Sequence, residues 1–199
     1  MTARPRFPLL LAAATCALAA AVTGVLALVV AVTERADLRV SLAVSRIDTS
    51  RSSTLLDTIS HLADPLPYAV VGLALTAIAW LRRERRLALT IPLLFVATGL
   101  TTELLKRATD TARWWDAPLW PSGHATAAVT MALCAVLVSP PRLRPIVAIA
   151  GGVFAIAVAG SMVALSAHMA SDVIAGSLIA AAYVLTASGC RSRANPSPS

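Results

Sequence analysis

The chain has 199 residues, of which 57% are hydrophobic and only 14% charged, against about 25% charged in an ordinary soluble domain. With a mean hydropathy of +0.75 it has too little polar surface to coat a globule, which excludes a disordered chain, a disulfide scaffold and a soluble enzyme. The formal charge of +7 raises nucleic acid as a partner, but in a membrane chain such an excess marks cytoplasmic loops instead.

A membrane span needs roughly 17–25 mostly apolar residues, and six stretches approach this. They are Pro8–Val32, Pro65–Leu81, Leu87–Leu105, Ser122–Val138, Ile146–Leu165 and Ser171–Ser188. Several are short and rich in Ala, so a tight helical bundle is expected; no alternation runs long enough for a barrel. The fold class predicted is therefore all-α, a polytopic membrane protein with six transmembrane helices.

The first stretch follows Arg4 and Arg6 and resembles a signal peptide. Its apolar run exceeds the roughly 7–15 residues usual there, so a retained span is preferred, with residues 1–32 forming the cytoplasmic N-terminus and first span. Residues 33–64 are read as an extracytoplasmic loop. Within it Leu38, Val40, Leu42 and Val44 alternate, whereas Leu55, Leu56, Ile59 and Leu62 recur at helical spacing and predict a short amphipathic helix at the outer interface. Residues 65–188 would hold the five remaining spans and 189–199 a disordered cytoplasmic tail. Cys16, Cys134 and Cys190 lack metal-like spacing; the first two read as small hydrophobes and the last as a tail thiol.

Loop charge predicts the orientation. One side would hold Arg4, Arg6, Arg82, Arg83, Arg85, Arg86, Arg142, Arg144, Arg191 and Arg193 against the single acid Glu84. That side is assigned to the cytoplasm with both termini, and nucleic-acid binding drops out as the reading of the charge. High Ala and Arg with little Lys is the usage of a GC-rich bacterial genome, which points to an inner membrane.

The unusual polar residues gather at the opposite, extracytoplasmic level: Lys106, Arg107 and Arg113; Ser122, Gly123 and His124; Ser161, His168 and Asp172. Ionisable groups in a membrane are expensive and point to function. Lys106 and Arg113 are seven residues apart, about two turns of a continuing helix, so both would face one anion. Pro121-Ser122-Gly123-His124 reads as a helix start, with Ser122 as N-cap, backbone N–H groups for an anion, and His124 in the first turn as a proton donor. His168 and Asp172 are four apart, so on a helix the carboxylate reaches the imidazole and strengthens it as a nucleophile. Taken singly, each has a bland account: a snorkelling cation, a common helix entry, a solvated histidine, a helix N-terminal acid. Their shared level and order favour a phosphate site.

These residues resemble the type 2 phosphatidic acid phosphatase family, membrane lipid phosphatases related to vanadium haloperoxidases. That family carries KxxxxxxRP, PSGH and SRxxxxxHxxxD. Here the first runs from Lys106 to Arg113-Trp114, the second is intact at Pro121–His124, and the third runs from Ser161-Met162 to His168 and Asp172. The resemblance covers about residues 48–188. It implies His168 as nucleophile forming a phosphohistidine, Asp172 orienting it, His124 protonating the leaving lipid oxygen, and Lys106, Arg113, Ser122 and Gly123 binding phosphate. It also implies no cofactor and no metal, a lipid phosphate or diphosphate as substrate and the bilayer as surroundings.

Two positions depart from the pattern. Trp114 replaces a proline, and Met162 replaces the third motif's phosphate-binding arginine. A lost charge-assisted contact of this kind costs about 3–4 kcal/mol at a comparable oxyanion site. Arg107 is the neighbouring cation for compensation, although on a helix it lies about 100° round from Lys106. The alternative to an enzyme is therefore a weakly active or non-catalytic binder of lipid phosphate. A transferase would need an acceptor pocket, for which no residues stand out. Trp114, Trp115 and Trp120 read as an aromatic anchor at the outer interface.

Overall fold

The computed structural model describes residues 6–29, 31–46, 53–109 and 120–191. Among the described residues eight helices follow in order: α1 (Arg6–Val29), α2 (Ala31–Ser45), α3 (Ser53–His61), α4 (Pro65–Leu81), α5 (Arg85–Thr109), α6 (Gly123–Val138), α7 (Arg144–Ala164) and α8 (Ala170–Arg191). Each of the six predicted apolar stretches is largely helical; the first, expected over Pro8–Val32, has α1 ending at Val29 and α2 starting at Ala31. Four of them, α1, α5, α7 and α8, are long and apolar enough to cross a membrane. Helix α4 reaches that standard only together with α3, across a 46° bend. Helix α6 has 16 residues, about 24 Å at 1.5 Å per residue, less than a hydrocarbon core of roughly 30 Å.

The turns joining these helices follow from local chemistry. Helix α4 begins after Asp64 with Pro65 in its first turn, where a missing N–H costs nothing. It ends at a tight turn in which Arg83 takes φ 60°, and the Arg82 guanidinium donates to the Val138 carbonyl at the end of α6. Pro140 and Pro141 follow α6, and Pro145 opens α7. These contacts tie the α4–α5 and α6–α7 turns together at one end of the bundle.

The core lies between α4, α5, α6, α7 and α8. Leu87, Ile91, Leu94 and Phe95 of α5 pack with Ala128, Met131 and Cys134 of α6, Val158 of α7 and Val184 of α8. Toward the other end the α5–α6 seam becomes polar. Thr98 and Thr102 face Thr130 and Thr126, with Oγ1–Oγ1 distances of 3.3 Å for each pair. Tyr68 joins from α4, 2.9 Å from Thr98. Small hydroxyl residues let the helices approach closely and bond across the seam. That seam delivers Lys106 and Gly123 to the same level.

Helix α1 packs along α8: a Cβ on Gly189 would lie 2.9 Å from Leu10 Cδ2. Residues 33–64, expected as a loop with one short helix, contain two. The predicted amphipathic helix is α3. The alternating segment Leu38–Val44 is helical within α2 rather than extended. A lone strand would leave its backbone groups unpaired, and a helix satisfies them within itself. Helix α2 lies against α1, α7 and α8, and α3 against α7, so the two cover one end of the bundle.

The tail reading covers residues 189–199. Gly189 and Cys190 belong instead to the last turn of α8, with Cys190 exposed, Cys16 half-buried and Cys134 buried; residues 192–199 lie outside the described residues. Trp120 is 6% exposed, and a Cβ on Gly24 of α1 would lie 2.7 Å from its ring. Trp120 is therefore a packing residue rather than an interfacial anchor, while Trp114 and Trp115 lie outside the described residues.

Candidate active site

The second motif folds as its sequence predicts. Ser122 is fully buried with extended backbone at the N-cap of α6, and its Oγ accepts from the Ala125 N–H at 3.4 Å. Its carbonyl accepts from Thr126 N–H at 3.2 Å and Thr126 Oγ1 at 2.9 Å. Gly123 and His124, first in the helix, have no carbonyl one turn below them to bond, so their N–H groups face the site end.

The third motif spans the α7–α8 connection. Helix α7 ends at Ala164, and the chain turns through Ser166 at φ 56°. The N–H groups of Ala167 and His168 both bond the Met162 carbonyl, at 2.9 and 3.1 Å. His168 thus sits in the loop, two residues before α8 begins, rather than on a shared helix face with Asp172. Contact is made nonetheless: Asp172 Oδ2 lies 3.4 Å from His168 Nδ1 and accepts the Met169 N–H at 3.0 Å. Asp172 is fully buried and the His168 side chain only 11% exposed.

Two further contacts bring the motifs together. The Ser122 N–H donates to the Asp172 carbonyl at 2.9 Å, joining the start of α6 to the start of α8. One turn along α8, Gly176 lies so close that a Cβ there would be 2.4 Å from the Ser122 carbonyl oxygen and 2.7 Å from Thr126 Oγ1. Only hydrogen fits. On the α5 side, a Cβ on Gly123 would be 3.3 Å from Lys106 Nζ. A cavity of about 110 Å³ opens beside this ammonium, bounded by Tyr68, Thr102, Glu103, Gly123 and Thr126. Lys106, Ser122–His124 and His168–Asp172 therefore share one end of the bundle.

His124 has a partner that sequence reasoning missed. Its Nε2 lies 3.0 Å from Asp64 Oδ1, and the other oxygen of Asp64 lies 2.7 Å from His61 Nδ1. His61 Nε2 in turn lies 3.3 Å from Asp57. The hydrogen bonds from His61 and then His124 hold the Asp64 carboxyl below its usual range. All three histidines of the chain thus stand at this end, each beside a carboxylate. The available signal was His61 three residues before Asp64, just ahead of a proline-started helix.

A second group missed in the sequence is Asp37 on α2. Its Oδ1 accepts the Ser171 N–H at 3.1 Å, its Oδ2 pairs with the Ser171 hydroxyl, and Ser41 Oγ accepts the Ala170 N–H at 3.2 Å. A carboxylate from another helix thereby caps α8 just ahead of Asp172, where the helix dipole favours negative charge.

The remaining predicted residues divide as follows. Arg107 is largely exposed and bonds Glu103 one turn back, Nε to Oε1 at 3.2 Å, so it turns away from Lys106 as helical geometry requires. The described part of α5 ends at Thr109, and Arg113 lies outside the described residues, so its expected two-turn relation to Lys106 is not described. Met162 is 4% exposed in an apolar cluster with Ala125, Val163 and Val173. It brings this cluster neither charge nor donor. Ser161 is buried and bonds the Val158 carbonyl within its own helix.

An apolar groove of about 390 Å³ follows the α6–α7 seam, from Ala159 and Ser177 past Gly151 and Ala132 to Val136 and Ala148. It begins on the site's side of the bundle and runs toward the other end.

Residues 101–196 match the family model of the PAP2 superfamily. No curated protein sequence matches the chain. Among solved structures the chain is similar to the first transmembrane PAP2 type phosphatidylglycerolphosphate phosphatase from Bacillus subtilis. The TM-score is 0.75 at 23% identity, covering 96% of this chain and 97% of that one. At this identity the likeness establishes a shared fold. With its long apolar helices the chain is a multi-pass membrane protein of that fold, and its residues 101–196 are similar to the PAP2 superfamily.

Proposed function

We propose that the protein is an integral membrane lipid phosphatase, hydrolysing the phosphate monoester or diphosphate of a polyprenyl lipid or glycerolipid through a phosphohistidine. The observation that carries this reading is the 2.9 Å bond from Ser122 N–H to the Asp172 carbonyl, with the Lys106 ammonium against Gly123. It ties the start of α6 to the start of α8 and, with Lys106 beside Gly123, supports reading Lys106, Ser122–His124 and His168–Asp172 as one site.

The proposed chemistry combines these contacts with the roles that the family resemblance implies, Arg113 included. Asp172 accepts from His168 Nδ1, which leaves Nε2 with its lone pair to attack phosphorus. As the N–P bond forms, the P–O bond to the lipid breaks and His124 gives its proton to the departing oxygen. Lys106, Arg113, the Ser122 hydroxyl and the Gly123 N–H offset the charge developing on the phosphoryl oxygens. Water then attacks the phosphohistidine, His124 takes its proton, and phosphate leaves. In this scheme charge neutralisation falls to these side chains and the Gly123 N–H, and no metal takes part.

The substrate class rests on position. The apolar groove along α6 and α7 suits a hydrocarbon chain whose phosphate head lies at the helix starts. Read as six spans with the arginine-rich turns at Arg82–Arg86 and Arg142–Arg144 cytoplasmic, the chain would present the site at the extracytoplasmic face of an inner membrane. Such a face would meet lipid heads of the outer leaflet.

The test is phosphate release by the purified protein in detergent, from phosphatidate, phosphatidylglycerol phosphate and farnesyl diphosphate, with chelator present. Turnover that persists with chelator and vanishes in His168→Ala supports the reading. Tight binding of these lipids without release from any of them would support the second reading, a binder, which Met162 at the arginine position favours.

A further inference from the structure

Asp64 belongs to none of the three motifs, and the mechanism above does not use it. It stands at the N-cap position of α4, yet its side chain makes no capping bond. Both carboxylate oxygens go instead to imidazoles, Oδ1 to His124 Nε2 at 3.0 Å and Oδ2 to His61 Nδ1 at 2.7 Å. A carboxylate held ionised only accepts, so each ring donates to it. That fixes where the His124 protons can be. Nε2–H is occupied by Asp64, and Nδ1 is the nitrogen left to exchange a proton with a bound ester.

We propose that Asp64 is the positioning residue of His124, making His124 and Asp64 a second His–Asp pair beside His168 and Asp172. This rests on the phosphatase reading. With its Nε2–H held by the carboxylate, the imidazolium delivers its Nδ1 proton to the lipid oxygen as the P–O bond breaks. It is left as the neutral Nε2–H tautomer, ready to take a proton from water as the N–P bond is hydrolysed. His61, itself bridged to Asp57 at 3.3 Å, holds the carboxylate from its other side and keeps it from swinging into solvent.

Leaving-group dependence separates this role from a merely structural one. An alkyl ester such as phosphatidate needs a proton on its departing oxygen, whereas p-nitrophenyl phosphate expels a stable phenolate without one. Asp64→Asn is expected to lower kcat for phosphatidate about a hundredfold with KM little changed. It should lower kcat for p-nitrophenyl phosphate less than about threefold, and Asp64→Glu should restore part of the phosphatidate rate. Equal loss on both substrates, or loss on neither, overturns the proposal.

A wild type that releases no phosphate from either compound would defeat the phosphatase reading and leave the pairing to be judged separately. With only three histidines, ¹⁵N-histidine spectra in micelles can report each ring. The proposal requires the Nε2–H tautomer for neutral His124 and its loss in Asp64→Asn. An unchanged His124 ring would overturn it.

Discussion

Ser122 and Asp172 are 50 residues apart in the chain and joined by one backbone hydrogen bond of 2.9 Å. The bond matters because Ser122 caps α6 and Asp172 lies in the first turn of α8, the two helix starts of the candidate site. Ser122 sets where the first-turn N–H groups of α6 point. Asp172 sets the orientation of the His168 ring. With both fixed to each other, the His168 ring and the first turn of α6 are held in one relative position.

Gly176 maintains that arrangement by having no side chain. A methyl there would meet the Ser122 carbonyl at 2.4 Å, so α6 and α8 must separate. Gly176→Ala is expected to destabilise the protein by about 1–3 kcal/mol and to lower phosphate release about tenfold or more. Thermal unfolding in detergent alongside lipid phosphate turnover measures both. Full activity at unchanged stability would show that the contact is easily relaxed.

Asp172 acts on His168 through a bond that an amide imitates poorly. Asp172→Asn can still accept the Met169 N–H, so the loop should hold, but it no longer stabilises a charged imidazole. The expected result is a fall in kcat of about 10²–10⁴, with lipid binding retained. Phosphohistidine trapping after brief exposure to ³²P-labelled substrate should fail in the same variant.

Met162 offers a gain-of-function experiment. Its side chain is buried in a cluster with Ala125 and Val173, residues of the first turns of α6 and α8, at the position where the third motif of the family the chain resembles carries arginine. Met162→Arg is expected to raise phosphate release about tenfold. No increase would mean that another cation already serves. Arg107, turned toward Glu103, is not expected to be that cation, and Arg107→Gln should leave turnover within about twofold.

Asp37 links helix α2 to the start of α8. Asp37→Ala removes the carboxylate that caps α8 through Ser171, a loss worth about 1 kcal/mol for a helix cap. Hydrogen exchange at the start of α8 should accelerate, and kcat should fall modestly while KM for soluble aryl phosphates stays unchanged. Unaltered exchange at Ser171 and Asp172 would rule out the tether.

Membrane character, the six apolar helices and the three motif segments were legible in the linear sequence, because each is a local property. Apolar runs, prolines at helix starts and the spacing within a motif require no knowledge of neighbours. The short amphipathic helix α3 was legible for the same reason. Helix α2 was not, since alternation in a four-residue pattern says nothing about whether a partner strand exists.

Only the tertiary structure decided what each site residue touches. It turned Arg107 to Glu103 and buried Trp120 beneath α1. It set His168 in a loop instead of on a helix face, and it brought Asp64, His61, Asp37 and Gly176 to the site from outside the motifs. The physical reason is that side-chain partners across a helical bundle depend on crossing geometry and close approach between segments. Those are fixed by packing over the whole molecule and leave no periodic trace along the chain.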